Sequence, residues 1–158
     1  MKKILSPLQA LSFFHNQPID NKTIVLVGGC FDLLHRGHIE FLRSSKTVGD
    51  ILVVLLESDQ SIRKHKGDNR PRNTQQKRAE QLLAKSDADV IILLPYPFED
   101  KDYDSLVTKL KPAIIATTLA DPYKYHKDRQ ASLTGATVLE VIKRLPEHST
   151  TKLLKNYE

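Results

Sequence analysis

The sequence predicts a three-layer α/β/α fold built on a parallel β-sheet of five strands. Five short apolar runs, rich in branched residues and nearly continuous rather than alternating, are typical of strands covered on both faces. Segments that suit helices separate these runs, and this alternation is typical of consecutive βαβ units. The predicted strands are 23–27, 51–56, 90–94, 113–116 and 137–142.

Helices are predicted between the strands, over 39–46, 73–84, 103–110 and 121–132. The second of them begins at a capping residue, Asn73 or Thr74. Residues 1–20 are expected to form a short N-terminal helical extension. The stretch 63–72 is polar and basic and has no strand pattern, so we expect a mobile loop there. With no internal repeat and no linker, residues 1–158 are interpreted as one domain.

Composition limits the classes of function. The 158 residues are 40% hydrophobic, which is enough for a packed core without disulfides. Cys30 is the only cysteine, which excludes an internal disulfide and a cysteine-rich zinc site and suits a reducing, cytoplasmic setting. No stretch approaches the roughly 18 apolar residues of a membrane span, and no signal peptide is expected. The formal net charge of +5 suits an anionic small molecule as well as nucleic acid.

The segment 27–39 holds the residues that point to chemistry. It lies where the first predicted strand ends and a helix begins, and ligands bind at the carboxyl ends of strands in parallel α/β sheets. Gly28 and Gly29 let the backbone turn sharply and approach a ligand closely. Gly37 leaves the helix start uncovered, so that backbone N–H groups can face a phosphate.

Two histidines follow these glycines. His35 and His38 are three residues apart, which places both imidazoles on one side of a helical turn. Imidazole donates hydrogen bonds to phosphate oxygens and is protonated at modest cost near pH 7. Phosphoryl and nucleotidyl transfer need charge stabilised on oxygens more than they need a protein nucleophile. We therefore interpret the pair as phosphate-binding; a zinc site is disfavoured because no third ligand has a suitable spacing.

The string Gly28-x-Cys30-Phe31-Asp32-x-x-His35-x-Gly37-His38 resembles the signature of the cytidylyltransferase-like nucleotidyltransferases, which share His-x-Gly-His with class I aminoacyl-tRNA synthetases. Residues 57–59, after the second predicted strand, also match the family. Residues 66–71 and Arg78 with Asp89 resemble the adenylyltransferase half of the bacterial heptose-phosphate enzymes. Arg144 and residues 149–151 resemble the closing motif of the family. The resemblance covers roughly residues 23–156 and implies a Rossmann-like fold of the HUP type.

The resemblance implies a role for each matched residue. Catalysis is expected of His35, His38 and Lys66, the last of which would close over the triphosphate from the predicted loop. Nucleotide binding is expected of Gly29, Cys30, Phe31, Gly37, Arg78, Arg144, Ser149 and Thr150. Acceptor binding is expected of Asp32 and Arg70. Mg²⁺ is the expected cofactor, held largely by triphosphate oxygens and water and not by the protein alone.

Some of these residues have simpler interpretations. Asp32 can serve only to order the backbone of its turn, and Arg78 can form a structural ion pair with Asp89. The residues 149–151 can be an ordinary helix cap. Cys30 can be a small packing residue, since no adjacent base for thiol catalysis is evident. The basic loop can be a solvated surface.

The implied reaction is the transfer of NMP from an NTP, with ATP favoured over CTP, to a phosphorylated small molecule such as a sugar phosphate, with release of pyrophosphate. The alternatives are cytidylyl transfer to a polyol or amino-alcohol phosphate, adenylyl transfer to FMN, and a catalytically silent nucleotide-binding regulator. The stretch 116–121 motivates the last alternative, because relatives have a Gly-Asp element there, often after a lysine. A homodimer is expected, with neither nucleic acid nor a membrane as partner.

Overall fold

A computed structural model of the chain describes residues 1–143. Within this range the chain forms six strands and six helices arranged in three α/β/α layers. The strands are β1 (Lys3–Leu5), β2 (Ile24–Gly29), β3 (Ile51–Leu56), β4 (Val90–Leu93), β5 (Ile114–Leu119) and β6 (Thr137–Lys143). The helices are α1 (Pro7–His15), α2 (Arg36–Thr47), α3 (Asp59–Lys66), α4 (Gln75–Lys85), α5 (Asp100–Leu110) and α6 (Lys124–Thr134). The predicted fold class is confirmed.

The described strands lie in one parallel sheet with the order β1-β4-β3-β2-β5-β6. The sheet has one strand more than predicted, because β1 forms inside the expected helical extension and pairs with β4, where Ile4 lies opposite Ile91. Three residues are too few to show a period in the sequence. The helix expected in that extension is α1.

Alternate residues of a strand point to opposite faces of the sheet, and β3 shows why its sequence is continuously apolar. Its odd-numbered residues pack in a core with α1 and α5. Its even-numbered residues pack in a second core with α2 and α4. We call these sides the α5 face and the α2 face; Ala131 places α6 on the α5 face.

The chain changes direction across the sheet between β2 and β5. From β2 it passes through α2 to β3 on one side, and from β5 it passes through α6 to β6 on the other. The carboxyl ends of β2 and β5 therefore flank a topological switch point, which is where open parallel sheets bind ligands. The segment 27–39 lies at this point, as the sequence predicted.

The stretch 63–72 is not a continuous loop. Ser58 Oγ accepts a hydrogen bond from the backbone N–H of Ser61 at 3.1 Å, and Ile62 is buried, so α3 is capped and anchored. The expectation of a mobile loop is wrong for residues 63–66, because a helix with one buried apolar residue shows no periodicity. Lys66 consequently lies at the end of a helix.

Lys111 provides a test of the backbone at the end of α5. It adopts the left-handed conformation, with φ 53° and ψ 54°, which favours glycine. We expect Lys111→Gly to raise the free energy of unfolding in urea by about 0.5–1 kcal/mol. This is the net of two effects, since glycine relieves the backbone strain but also increases the entropy of the unfolded chain.

Lys109→Gly is the matched control, because it removes the same charge from within the same helix. It is expected to lower the free energy of unfolding by about 1 kcal/mol. Changes of the same sign in both variants would contradict the assignment of strain to Lys111.

Candidate active site

Two imidazoles cap the start of α2. His35 is the N-cap residue, and its Nδ1 accepts a hydrogen bond from the backbone N–H of Gly37 at 3.1 Å. Nδ1 of His38 accepts from the backbone N–H of His35 at 3.4 Å, and the two rings stack with centroids 3.7 Å apart. In a neutral imidazole whose Nδ1 accepts, the proton lies on Nε2. Each ring thus caps the helix with one nitrogen and has an N–H on the other. The expectation that Gly37 leaves the helix start uncovered is wrong, because the Gly37 N–H donates to the His35 ring.

The environment of His38 keeps its ring neutral. Burial and the neighbouring His35 and Lys66 together lower the pKa of His38 to about 3, against a hydrogen bond with the backbone of Leu33 that favours the protonated ring. His38 is therefore a hydrogen-bond donor at physiological pH and not a cation. Because the charge of Lys66 acts on this ring, the end of α3 faces the same site as the start of α2.

The turn between β2 and α2 is tight at Gly29 and Phe31. A Cβ atom on Gly29 would lie 2.8 Å from Cε2 of Phe31, which is closer than real Cβ contacts. Phe31 has a φ of 47°, a strained conformation for an aromatic residue that persists only where its surroundings fix it. Its buried ring meets the His38 ring edge-on, with centroids 5.1 Å apart. The turn thus positions His38.

Asp32 joins this turn to the segment that precedes α4. Its carboxylate accepts from Nε of Arg70 at 2.9 Å, from the backbone N–H of Arg72 at 2.9 Å and from that of Asn73 at 3.2 Å. Asp32 is 1% exposed and Arg70 is 6% exposed. These contacts are those of a residue that orders its backbone. Acceptor binding by Asp32 and Arg70 stays a prediction, and it requires this buried pair to open.

Arg78 is 0% exposed and ties three segments together. Its Nη1 donates to the carbonyl of Cys30 at 2.8 Å, its Nε to the carbonyl of Asn73 at 3.0 Å, and its Nη2 to Oδ1 of Asp59 at 2.7 Å. The suggested ion pair with Asp89 is wrong, because Asp89 accepts from a lysine of α2 at 2.6 Å. A side chain without exposed surface cannot touch a nucleotide in this conformation, so we propose that Arg78 is a positioning residue.

Cys30 lies between charges of opposite sign. Burial raises the pKa of its thiol; Lys66 opposes this shift and Glu57 adds to it. A thiol with a raised pKa is a poor nucleophile, which favours the interpretation of Cys30 as a packing residue. Its electrostatic neighbours show that Lys66 and Glu57 both lie close to the turn.

The structure brings together, at the carboxyl end of β2, most of the residues that the sequence singled out. They are Gly29, Cys30, Phe31, Asp32, His35, Gly37, His38, Lys66, Arg70 and Arg78. Arg144, Ser149 and Thr150 lie outside the described residues, and their roles stay predictions.

Two further polar residues stand at the same edge of the sheet. The Tyr103 hydroxyl, in the first turn of α5, donates a hydrogen bond to Oε1 of Glu57. Phe98 packs edge-on against Tyr103, with ring centroids 4.7 Å apart. Burial and the Glu57 carboxylate raise the pKa of Tyr103, so the phenol stays protonated. The position of Glu57 directly after a buried strand indicates a site residue in the sequence itself. The sequence contains no such indication for Tyr103, because only the fold makes the two residues neighbours.

The stretch 116–121 forms the end of β5 and the turn that follows it. Ala120 has a φ of 61°, so it adopts the backbone conformation that glycine favours. Asp121 accepts from Oγ1 of Thr117 at 2.7 Å and from Nζ of Lys127 at 2.6 Å. Burial opposes the ionisation of Asp121, but these hydrogen bonds and one from the backbone of Tyr123 outweigh it and lower the pKa of Asp121.

No three metal-ligating side chains are close enough together to bind one ion in residues 1–143. Over the same residues, none of the helices combines the length and the apolar character that crossing a membrane needs.

Sequence comparisons identify similar proteins over most of the chain. The cytidylyltransferase-like family matches residues 26–156. The bifunctional protein HldE of Campylobacter fetus is 46% identical over 94 residues, 60% of this chain and 20% of that protein. The HldE of Sulfurimonas denitrificans is 34% identical over 134 residues, 85% of this chain and 26% of that protein. The chain thus spans about a fifth to a quarter of the length of these curated relatives.

Solved structures show the same fold. A lipopolysaccharide core biosynthesis protein from Thermoplasma volcanium is 27% identical, with a TM-score of 0.56 over 78% of this chain and 97% of that chain. A pantoate-beta-alanine ligase from Francisella tularensis has a TM-score of 0.68 over 99% of this chain and 73% of that chain. Its identity is 17%, so this second likeness shows the fold alone.

The role of Asp32 in the fold can be measured. Asp32→Asn leaves the Arg70 guanidinium buried without its counter-charge, so we expect the free energy of unfolding in urea to fall by about 3–5 kcal/mol. Asp87→Asn, at an exposed acid, is the control and should change it by less than about 0.5 kcal/mol. A small change in both variants would show that the buried pair is not what fixes the turn.

The neutral state of His38 has a consequence for stability. Its pKa is about 3 in the folded protein against an ordinary value of 6.5, so between these values the unfolded chain binds a proton that the folded chain does not. The free energy of unfolding should fall as the pH falls below 6.5, by up to about 1.4 kcal/mol per pH unit from the titration of His38. Above pH 6.5, the titration of His38 should add no pH dependence to the free energy of unfolding.

Urea unfolding of the wild type and of His38→Gln at pH 7, 6 and 5 measures this contribution. The wild type should lose more stability than the variant over this range. Parallel losses in the two proteins would contradict the lowered pKa.

Proposed function

We propose that this chain, which belongs to the cytidylyltransferase-like family, transfers a nucleotidyl group from an NTP to the phosphate of a sugar phosphate, with ATP the favoured donor. The observation that carries the proposal is the pair of His35 and His38 at the start of α2, each with Nδ1 engaged in the cap and an N–H on Nε2. Such a pair suits a polyphosphate, because N–H donors and the dipole at a helix start both favour anionic oxygens.

The transfer itself needs no covalent enzyme intermediate. An oxygen of the acceptor phosphate attacks the α-phosphorus of the NTP, the bond from that phosphorus to the bridging oxygen breaks, and pyrophosphate leaves with the electron pair. Negative charge grows on the bridging oxygen and on the pyrophosphate in this step. His35 and His38 would donate to those oxygens, and the dipole of α2 would add to the stabilisation.

Lys66 would provide the positive charge. It lies at the end of α3, is exposed, and acts electrostatically on both His38 and Cys30, so its ammonium lies near the same site. A flexible lysine is suited to following the triphosphate as charge moves from the α-phosphate to the leaving group. Ser149 and Thr150, with Arg144, are proposed to bind the far end of the triphosphate, as the family resemblance implies.

The choice of ATP and of a sugar phosphate is supported by the relatives. The HldE proteins are heptose-7-phosphate kinase/heptose-1-phosphate adenylyltransferases, and this chain is 34–46% identical to them over the matched domain. Because the chain spans about a fifth to a quarter of those proteins, the relatives support a sugar phosphate as the class of acceptor and do not identify the sugar. Any Mg²⁺ would take its ligands mainly from the triphosphate and water. A homodimer and a cytoplasmic location stay predictions.

Pyrophosphate release measures the proposed function. ATP, CTP, GTP and UTP are each combined with hexose 1-phosphates, heptose 1-phosphates, polyol phosphates and FMN. We expect the highest rate with ATP and a sugar 1-phosphate. A preference for CTP with a polyol phosphate, or for ATP with FMN, would overturn the proposed pair of substrates. Binding of nucleotide without any release would favour the silent regulator.

Variants of the site then separate the proposed roles. His38→Ala should lower kcat by about 10²-fold, because it removes a donor to the charge of the transition state. Lys66→Ala should mainly raise the KM for ATP, and Lys64→Ala, which removes an exposed lysine of the same helix, should do neither. Far-ultraviolet circular dichroism checks that each variant is folded. Unchanged turnover in His38→Ala would remove the proposed mechanism.

A further inference from the structure

We infer that Glu57, held in place by Tyr103, determines which acceptor is used by binding a hydroxyl group of a polyhydroxylated acceptor. The inference rests on the proposed nucleotidyl transfer and adds the part of the site that binds the uncharged end of the acceptor. None of the roles derived above uses these two residues.

The strand register places Glu57 on the α5 face of the sheet. Val53 and Leu55 pack in the core on that face, and Glu57 is the next residue of the same parity. Its backbone N–H donates to the carbonyl of Gly29 at 3.1 Å, so it lies directly beside the turn that holds the two histidines. The carboxylate therefore stands next to the reaction centre but on the face opposite α2.

The neighbouring strand is exposed at Gly28, which pairs with Leu55, two residues before Glu57. Gly28 is exposed, although it belongs to the central strand β2 and the four preceding residues of that strand are buried. A Cβ atom added to Gly28 would meet only the backbone oxygen of Leu55, at 3.9 Å. Leu26, two residues earlier, packs in the core of the α5 face, so the opening over Gly28 is on that face too. The sheet is therefore exposed at Gly28 on the same face as the Glu57 carboxylate.

The chemistry of the Glu57 carboxylate favours hydroxyl groups over phosphate. Within residues 1–143, Glu57 forms no ion pair, and the Tyr103 hydroxyl is the one side chain that donates to it. Tyr103 occupies Oε1 and leaves Oε2 to accept from a ligand. A half-buried carboxylate repels phosphate oxygens and accepts strongly from hydroxyl donors.

The two ends of an acceptor would therefore be sorted by charge. Its phosphate is attracted to Lys66 and the start of α2, and its hydroxyl groups to Glu57 across the same turn. A site built to accept a hydrogen bond from a hydroxyl rejects analogues that lack it, because Oε2 of the carboxylate is then left without a donor. Glu57 and Tyr103 thus act on acceptor choice and not on the nucleotide.

The test compares isosteric variants. Glu57→Gln removes the charge and keeps the shape, and Tyr103→Phe removes the hydroxyl and keeps the ring against Phe98. Tyr96→Phe, at an exposed tyrosine after β4, is the matched control. With ATP and glucose 1-phosphate or mannose 1-phosphate, both test variants should raise the acceptor KM by about tenfold or more. Their kcat and their KM for ATP should stay within about twofold, and the control should match the wild type.

An unchanged acceptor KM in Glu57→Gln, with an active wild type, would overturn the inference and leave the proposed function intact. Equal increases in the KM for ATP would overturn it as well, since Glu57 would then act on the nucleotide.

If the wild type releases no pyrophosphate with any sugar phosphate, the proposed function fails, and calorimetric binding of glucose 1-phosphate in the presence of a non-hydrolysable ATP analogue decides the inference. Binding that weakens about tenfold in Glu57→Gln supports it. Equal binding by the two proteins, or no binding by the wild type, refutes it.

Discussion

The site depends on one buried guanidinium. Arg78 has no exposed surface, and it donates to the carbonyls of Cys30 and Asn73 and to the carboxylate of Asp59. A buried cation is tolerated only when it is paired and hydrogen-bonded, so these three partners are held in one arrangement. They belong to the turn after β2, the start of α4 and the start of α3. The relative placement of the histidine turn and the helix that ends at Lys66 is thereby fixed from within the fold.

The histidine pair shows how structure and chemistry share the same groups. Nδ1 of each ring satisfies a backbone N–H at the start of α2, which would otherwise lack an intrahelical partner. That use fixes the tautomer, and the tautomer places the remaining proton on Nε2. Burial keeps His38 neutral at physiological pH, so its ring is a hydrogen-bond donor and not a cation. Helix capping therefore prepares the two rings for binding anionic oxygens.

Much of the fold followed from local patterns, and the parts that did not are those that depend on distant partners. The strands β2 to β6 were predictable because strands covered on both faces are apolar throughout. β1 and α3 were missed, since a three-residue strand and a helix with one buried residue have almost no period. The residue types of 27–39 pointed to the site because they are contiguous. The burial of Arg78 and the pairing of Tyr103 with Glu57 join segments far apart in sequence, and no spacing rule encodes them.

The distribution of charge around the turn gives the site a direction. On the α2 side are the neutral donors of His35 and His38, with the ammonium of Lys66 beside them. On the α5 side is the Glu57 carboxylate, held by Tyr103 on the same face as the exposed Gly28. Charges this close in a partly desolvated site act more strongly than they would in water. A molecule with a phosphate at one end and hydroxyl groups at the other is bound favourably in one orientation and repelled in the reverse one. The phosphate is then presented to the nucleotide by electrostatics, before any detailed fit of the acceptor is required.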